Sequence, residues 1–173
     1  MLSVDSGNVI GDSATTGTIN WSFDSDGEAF DFLAAGETLV LTYDVIANDG
    51  DTDSNTQTVT ITITGTDDAP VISVEGGDSA TGSLTETDSG LTDSGTLSVE
   101  DLDLSDEVDV RVDAVAASGT FGGVNPLSNG DLLAMLSVDS GNVIGDSATT
   151  GTINWSFDSD GEAFDFLAAG ETL

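Results

Sequence analysis

The sequence predicts an all-β protein built as an antiparallel β-sandwich. Two observations carry that expectation. Apolar and polar residues alternate at period two in several short runs. Clusters of Gly, Asp, Asn and Ser punctuate those runs, as in SDGE, NDGDTDSN, EGGDSATG and SNGD. Many short strands with one polar face bury their apolar faces by packing sheet against sheet.

The elements follow in order. TINWSFD sets Ile19, Trp21 and Phe23 on one face, and TLVLTYDV does the same with Leu39, Leu41, Tyr43 and Val45. In TVTITIT, from Thr58 to Thr64, Val59, Ile61 and Ile63 alternate with threonines, so both faces are β-branched. A strand opens again at Val71 in VISV. EVDVRVD points Val108, Val110 and Val112 inward and Asp109, Arg111 and Asp113 outward. Only NGDLLAML, Asn129 to Leu136, invites a short helix. TINWSFD then recurs with Ile153, Trp155 and Phe157. Trp21 and Trp155 each continue an apolar alternation, which reads as core rather than as a ligand platform.

The recurrence is part of something longer. Residues 1–39 and 135–173 are the same letter for letter, an offset of 134 residues. That period is too long for a small solenoid unit and is the size of a whole domain. The expectation is a tandem array of 134-residue domains, of which this chain is a window. Residues 1–68 are then the C-terminal half of one repeat. Residues 69–173 are the N-terminal part of the next, lacking its last strands, with a joint at 66–70.

Composition narrows the chemistry. The chain has 33 acidic residues against one basic residue, Arg111, for a formal net charge of −32. Nucleic acid and anionic membrane partners need a cationic surface, so both are argued against. There is no Cys and no His, so disulfides, thiolate and imidazole metal sites, and every catalytic scheme built on either residue are excluded. Carboxylates occur throughout, so their pairing is no sign of glycoside hydrolysis; the expectation is that the protein is not an enzyme. A cation site here is all oxygen, which suits calcium or magnesium. No apolar run approaches the ~20 residues of a membrane span, so direct membrane insertion is not expected. The N-terminus lacks the basic start of a secretory signal.

The joint GTDDAPVIS concentrates the functional question. Pro70 cannot donate to a ladder and favours an extended residue before it, so the joint reads as a short extended connector. Its carboxylates, Asp67 and Asp68, are placed to share a cation with the next domain. Candidate partners are Asp101, Asp103 and Asp106 in VEDLDLSDEV, Glu86 in LTETDS, and Asp49, Asp51 and Asp53 in ANDGDTDSN. Residues i and i+2 of an extended chain face the same side about 7 Å apart, so Asp101 and Asp103 can converge on one ion. The competing reading is a solvated loop at the joint and an N-cap or Asx-turn at Asp101 and Asp103. ANDGDTDSN fails as a helix–loop–helix calcium loop, with Ser54 at the sixth position and Thr60 at the twelfth. Asp24, Asp26 and Glu28, with their copies Asp158, Asp160 and Glu162, are weaker candidates that a hairpin turn explains.

Gly36 to Ser73, GETLVLTYDVIANDGDTDSNTQTVTITITGTDDAPVIS, resembles the VCBS repeat of very large bacterial surface proteins. Those repeats close with a strand and G-T-N-D-A-P; here Asp67 stands where that Asn is usual, and the oxygen ligand is kept. The repeats are also similar to cadherin domains, whose calcium motifs match Asp67 and Asp68, then Asp101 and Asp103, then Glu86, then Asp49 in ANDG. The resemblance implies an immunoglobulin-like (cadherin-like) sandwich. It also implies a Ca2+-rigidified extender in an RTX-type adhesin, extracellular on the bacterial cell surface, with neighbouring identical repeats as partners. The alternative is a carbohydrate- or cell-binding module of a secreted protein.

The cut of the chain adds one expectation. Segment 40–68 holds the strands that 69–173 lacks. A strand of six to eight residues spans about 20–27 Å, while Thr66 to Pro70 reaches at most ~18 Å. Closure within one chain is therefore unfavourable, and head-to-tail complementation between chains is expected.

Overall fold

A computed structural model describes residues 1–173. The protein is all-β: ten strands, all paired antiparallel, and one helix of six residues. The chain divides into two compact units, Met1–Asp67 and Asp68–Leu173.

The first unit holds two separate hairpin-like pairs. β1 (Leu2–Val4) pairs with β2 (Trp21–Phe23), and β3 (Thr38–Val45) pairs with β4 (Gln57–Thr64) along its full length. In the β3–β4 ladder Leu39 faces Ile63, Leu41 faces Ile61 and Tyr43 faces Val59. These cross-strand pairs form one apolar face, while the threonines, Asp44 and the exposed Val40 form the other. The apolar face is only half-buried; the buried apolar residues of this unit are Leu33 and Ala34.

The second unit is built on a four-stranded sheet of order β5–β6–β10–β8: β5 is Val71–Ser73, β6 Thr92–Glu100, β8 Leu136–Val138 and β10 Thr150–Asp158. β7 (Val108–Asp109) pairs with β9 (Asn142–Ile144), and α1 covers Asn129–Ala134. Ser128 starts α1 with a capping box: its hydroxyl accepts from Asp131 N–H, and the Asp131 carboxylate accepts from Ser128 N–H. The core cluster joins Val99 of β6 and Ile153 of β10 to Val108 of β7 and Ile144 of β9. Polar residues Thr152, Asn154 and Ser156 take the outer face of β10, the alternation expected of a sheet buried on one side.

The expectation for EVDVRVD changes in detail, and one strand was not expected. EVDVRVD keeps its alternation, with Val108, Val110 and Val112 less exposed than the charged residues between them. Its ladder nevertheless ends at Asp109, where the register shifts. TDSGTLSVE, which has little apolar alternation, forms β6 at the centre of the larger sheet.

The duplicated segment keeps part of its local structure in both units. β1 meets β2 as Leu2↔Phe23, Ser3↔Ser22 and Val4↔Trp21; β8 meets β10 as Leu136↔Phe157, Ser137↔Ser156 and Val138↔Trp155. Asn20 N–H and side chain donate to Asp5, as Asn154 does to Asp139. The surroundings differ. In the second unit β6 pairs with the copy, which becomes a nine-residue strand instead of three. Ile19 is 40% exposed and its twin Ile153 2%; Ile10 is 48% exposed and its twin Ile144 1%.

Candidate metal centre

β4 ends at Thr64 and β5 begins at Val71, so residues 65–70 connect them without regular structure. Asp68 N–H donates to Asp103 Oδ2 at 2.8 Å, pinning this connector to the loop after β6. That loop is held from several sides. Asp101 N–H donates to the Thr149 carbonyl (2.9 Å), and Ser147 N–H donates to the Leu104 carbonyl (2.8 Å). Asp103 N–H donates to Asp101 Oδ1 at 3.2 Å, an Asx-turn contact two residues apart. Asp106 N–H then donates to the Asp103 carbonyl at 3.3 Å and closes a turn over 103–106.

The turn brings Asp106 beside Asp103. Carboxylate oxygens of Asp67, Asp103 and Asp106 lie within 4.8 Å of one another. That is about twice a calcium–oxygen bond, the widest spacing two ligands of a single ion can have. Asp67 is exposed, Asp106 intermediate and Asp103 fully buried at 0%. Asp103 Oδ2 is taken by Asp68, while Oδ1 is buried with no hydrogen-bond partner. A buried carboxylate oxygen without a partner is costly, and a bound cation removes the cost. The donor set is hard oxygen, so the residues fit calcium or magnesium and do not fit zinc or copper. The single basic residue, Arg111, instead pairs with Asp113 at 3.6 Å, both side chains exposed.

The other candidates lie as follows. Asp68 meets Asp103 through its backbone N–H. Asp101 is buried, and its carboxylate supports the Asp103 backbone. Glu86 is half-buried and lines an apolar groove with Leu84 and Trp155. Asp49 is exposed and organises its own turn: N–H donors from Thr52 and Asp51 hold its carboxyl below the usual carboxylate range. Asp53 accepts from the Asn48 side chain at 2.7 Å. Asp24 and Asp158 accept from Asp26 and Asp160 N–H in the turns that follow β2 and β10; no strand pairs back across either turn, so these are not the hairpin turns expected from SDG.

Asp106 completes the cluster by a route different from the i, i+2 geometry of an extended strand. The sequence places Asp106 three residues after Asp103 in VEDLDLSDEV, and the hydrogen bond from Asp106 N–H to the Asp103 carbonyl brings the two together. Comparison with family models, with curated proteins and with solved structures returns no match.

Proposed function

We propose that this chain is a calcium-stiffened extender from a repetitive bacterial surface adhesin, each 134-residue period forming one cadherin-like sandwich. The observation that carries the reading is Asp103: fully buried, one oxygen spent on the Asp68 N–H of the connector, the other without a partner, in a cluster with Asp67 and Asp106. Asp67, Asp103 and Asp106 would hold the ion directly. Asp101 and Asp68 would position Asp103, one through its carboxylate and the other through its N–H. The letter-for-letter duplication supports an array, because identity through loops and core alike exceeds what folding requires.

Stiffening follows from linkage. An ion that binds only the ordered connector stabilises that state by RT ln(1 + [L]/Kd), about 2.7 kcal/mol at a hundredfold excess over Kd. The ion also offsets part of the self-repulsion of a chain with net charge −32. An extender has no catalytic chemistry and acts where calcium is plentiful, outside the cell.

Calorimetric titration of the chain with calcium, paired with small-angle scattering with and without EDTA, tests the reading. Saturable binding and a longer, stiffer particle in calcium are expected. No heat and no change in the scattering would overturn it.

A further inference from the structure

The loop that carries Asp103 is clamped by the turn between β9 and β10. Asp101 N–H donates to the Thr149 carbonyl at 2.9 Å, and Ser147 N–H donates to the Leu104 carbonyl at 2.8 Å. These two bonds bracket Asp103, whose Oδ1 is buried without a partner. The turn is itself anchored, since Ile144 before it and Ala148 within it pack in the core with Val108 and Ile153. Its conformation therefore sets where the Asp103 carboxylate stands.

Ser147 makes its bond from an unfavourable backbone conformation. Gly145 to Ala148 form a β-turn closed by Ala148 N–H on the Gly145 carbonyl at 3.1 Å, and Ser147, the third residue of that turn, has φ +68°. A positive φ at the third position is the type II pattern, which suits glycine and disfavours a residue with a Cβ. The same four residues recur as Gly11 to Ala14 and close the same bond, Ala14 N–H to the Gly11 carbonyl at 2.9 Å, yet Ser13 has no positive φ. GDSA thus has two turn forms. The left-handed form occurs where the serine N–H meets the Leu104 carbonyl, and that bond offsets its cost.

We propose that Ser147 is a positioning residue of the cation site: its left-handed turn clamps the 101–106 loop in the form that takes the ion, and the other turn form leaves that loop unclamped. The role rests on the calcium reading and adds a control element to it. An ion that binds only the clamped loop draws the turn into the left-handed form, and by linkage whatever favours that form tightens the ion. The cost at Ser147 keeps only a fraction of the ion-free chain clamped, and the apparent affinity is reduced by that fraction. A glycine here would hold the loop ready at all times. A serine makes ion binding and ordering of the loop one event.

The test is calorimetric titration of the full chain and four variants with calcium, the fold of each being checked in EDTA by near-ultraviolet circular dichroism. The Ser147 side chain is exposed, so changing it acts through the backbone. Ser147→Gly and Ser147→Asn both ease the positive φ, glycine by lacking a Cβ and asparagine by its tolerance of the left-handed region. Each should bind calcium about three- to tenfold more tightly. Ser147→Val, with a branched Cβ that resists this φ, should bind more than about tenfold more weakly. Ser13→Val should leave the affinity unchanged. Calcium should also slow amide exchange at Ser147 and leave Ser13 as it was. If Ser147→Val fails to fold, the glycine and asparagine variants decide the matter. Equal affinities across the Ser147 variants, whatever their melting temperatures, would overturn the proposal and leave the calcium reading standing. Weaker binding by Ser147→Gly would overturn it too, by assigning the role to the serine hydroxyl. No binding by the unaltered chain would overturn the calcium reading, and this role with it.

Discussion

Gly95 of β6 lies directly opposite Trp155 of β10, and a Cβ on Gly95 would come within 2.6 Å of the indole ring. The ring lies across the glycine and donates its Nε1–H to the Ser79 carbonyl at 2.7 Å. A glycine inside a strand ordinarily weakens it. Here the missing side chain is the space the tryptophan occupies.

Gly95→Ala should therefore destabilise the second unit, by about 1–3 kcal/mol as overpacking costs elsewhere. In a Trp21→Phe background the Trp155 emission should shift at the same time, because the ring must move to admit the methyl group. Chemical denaturation followed by fluorescence reads both effects. Unchanged stability would show that the ring moves aside freely.

Asp103→Asn should have opposite effects with and without calcium. The amide oxygen can still accept from Asp68 N–H, and the charge of a buried, part-unpartnered carboxylate is gone. In EDTA the variant should melt at or above the temperature of the unaltered chain. In calcium the unaltered chain should rise and the variant should not. Scanning calorimetry in the two media separates these outcomes.

The duplicated segment supplies its own control. Ile153→Ala removes a residue of the buried cluster and should cost about 2–5 kcal/mol, while Ile19→Ala at the exposed twin should cost less than about 1 kcal/mol. Hydrogen exchange resolved by segment measures each unit separately. Equal costs would mean that Ile19 is covered in solution.

Asp78 links the second unit to pH. The Thr96 hydroxyl, Glu75 N–H and the Ser98 hydroxyl all donate to its carboxylate and hold its pKa below the ordinary value. A carboxyl whose pKa is lower folded than unfolded adds stability above the unfolded value of about 3.9, and loses it as pH falls through the folded one. Asp78→Asn should thus melt below the unaltered chain at pH 7, and the gap should close below about pH 4. A gap that persists in acid would contradict the assignment.

The legible parts of the fold were those with strong local signals. Val59, Ile61 and Ile63 between threonines define β4, and Pro70 marks the extended connector. Within NGDLLAML, Asn129–Ala134 forms α1. β6 was hidden because only Leu97 and Val99 stand out among Thr, Ser, Asp and Gly. It is a strand because β5 and β10 pair with it on both sides, satisfying its backbone donors and acceptors. At the candidate site, Asp67, Asp101, Asp103 and Asp106 were all named from the sequence, but the approach of Asp106 to Asp103 depends on the 103–106 turn, and the contact of Asp101 with Asp103 N–H is visible only in the structure.

The two identical 39-residue segments separate local from long-range causes. Both form the same three-residue pairing and the same Asp–Asn contacts. Both also hold left-handed turn residues at equivalent positions, Asp26 and Phe30 in one and Asp160 and Phe164 in the other. These depend on φ preferences and on partners about twenty residues away, which each copy carries within itself. Strand length and burial depend on β6, β7 and their side chains, which only one copy meets. Hence Ile153 is core and Ile19 is surface, although no residue within either segment distinguishes them. Burial belongs to what a side chain is packed against, and a segment's own sequence cannot state that.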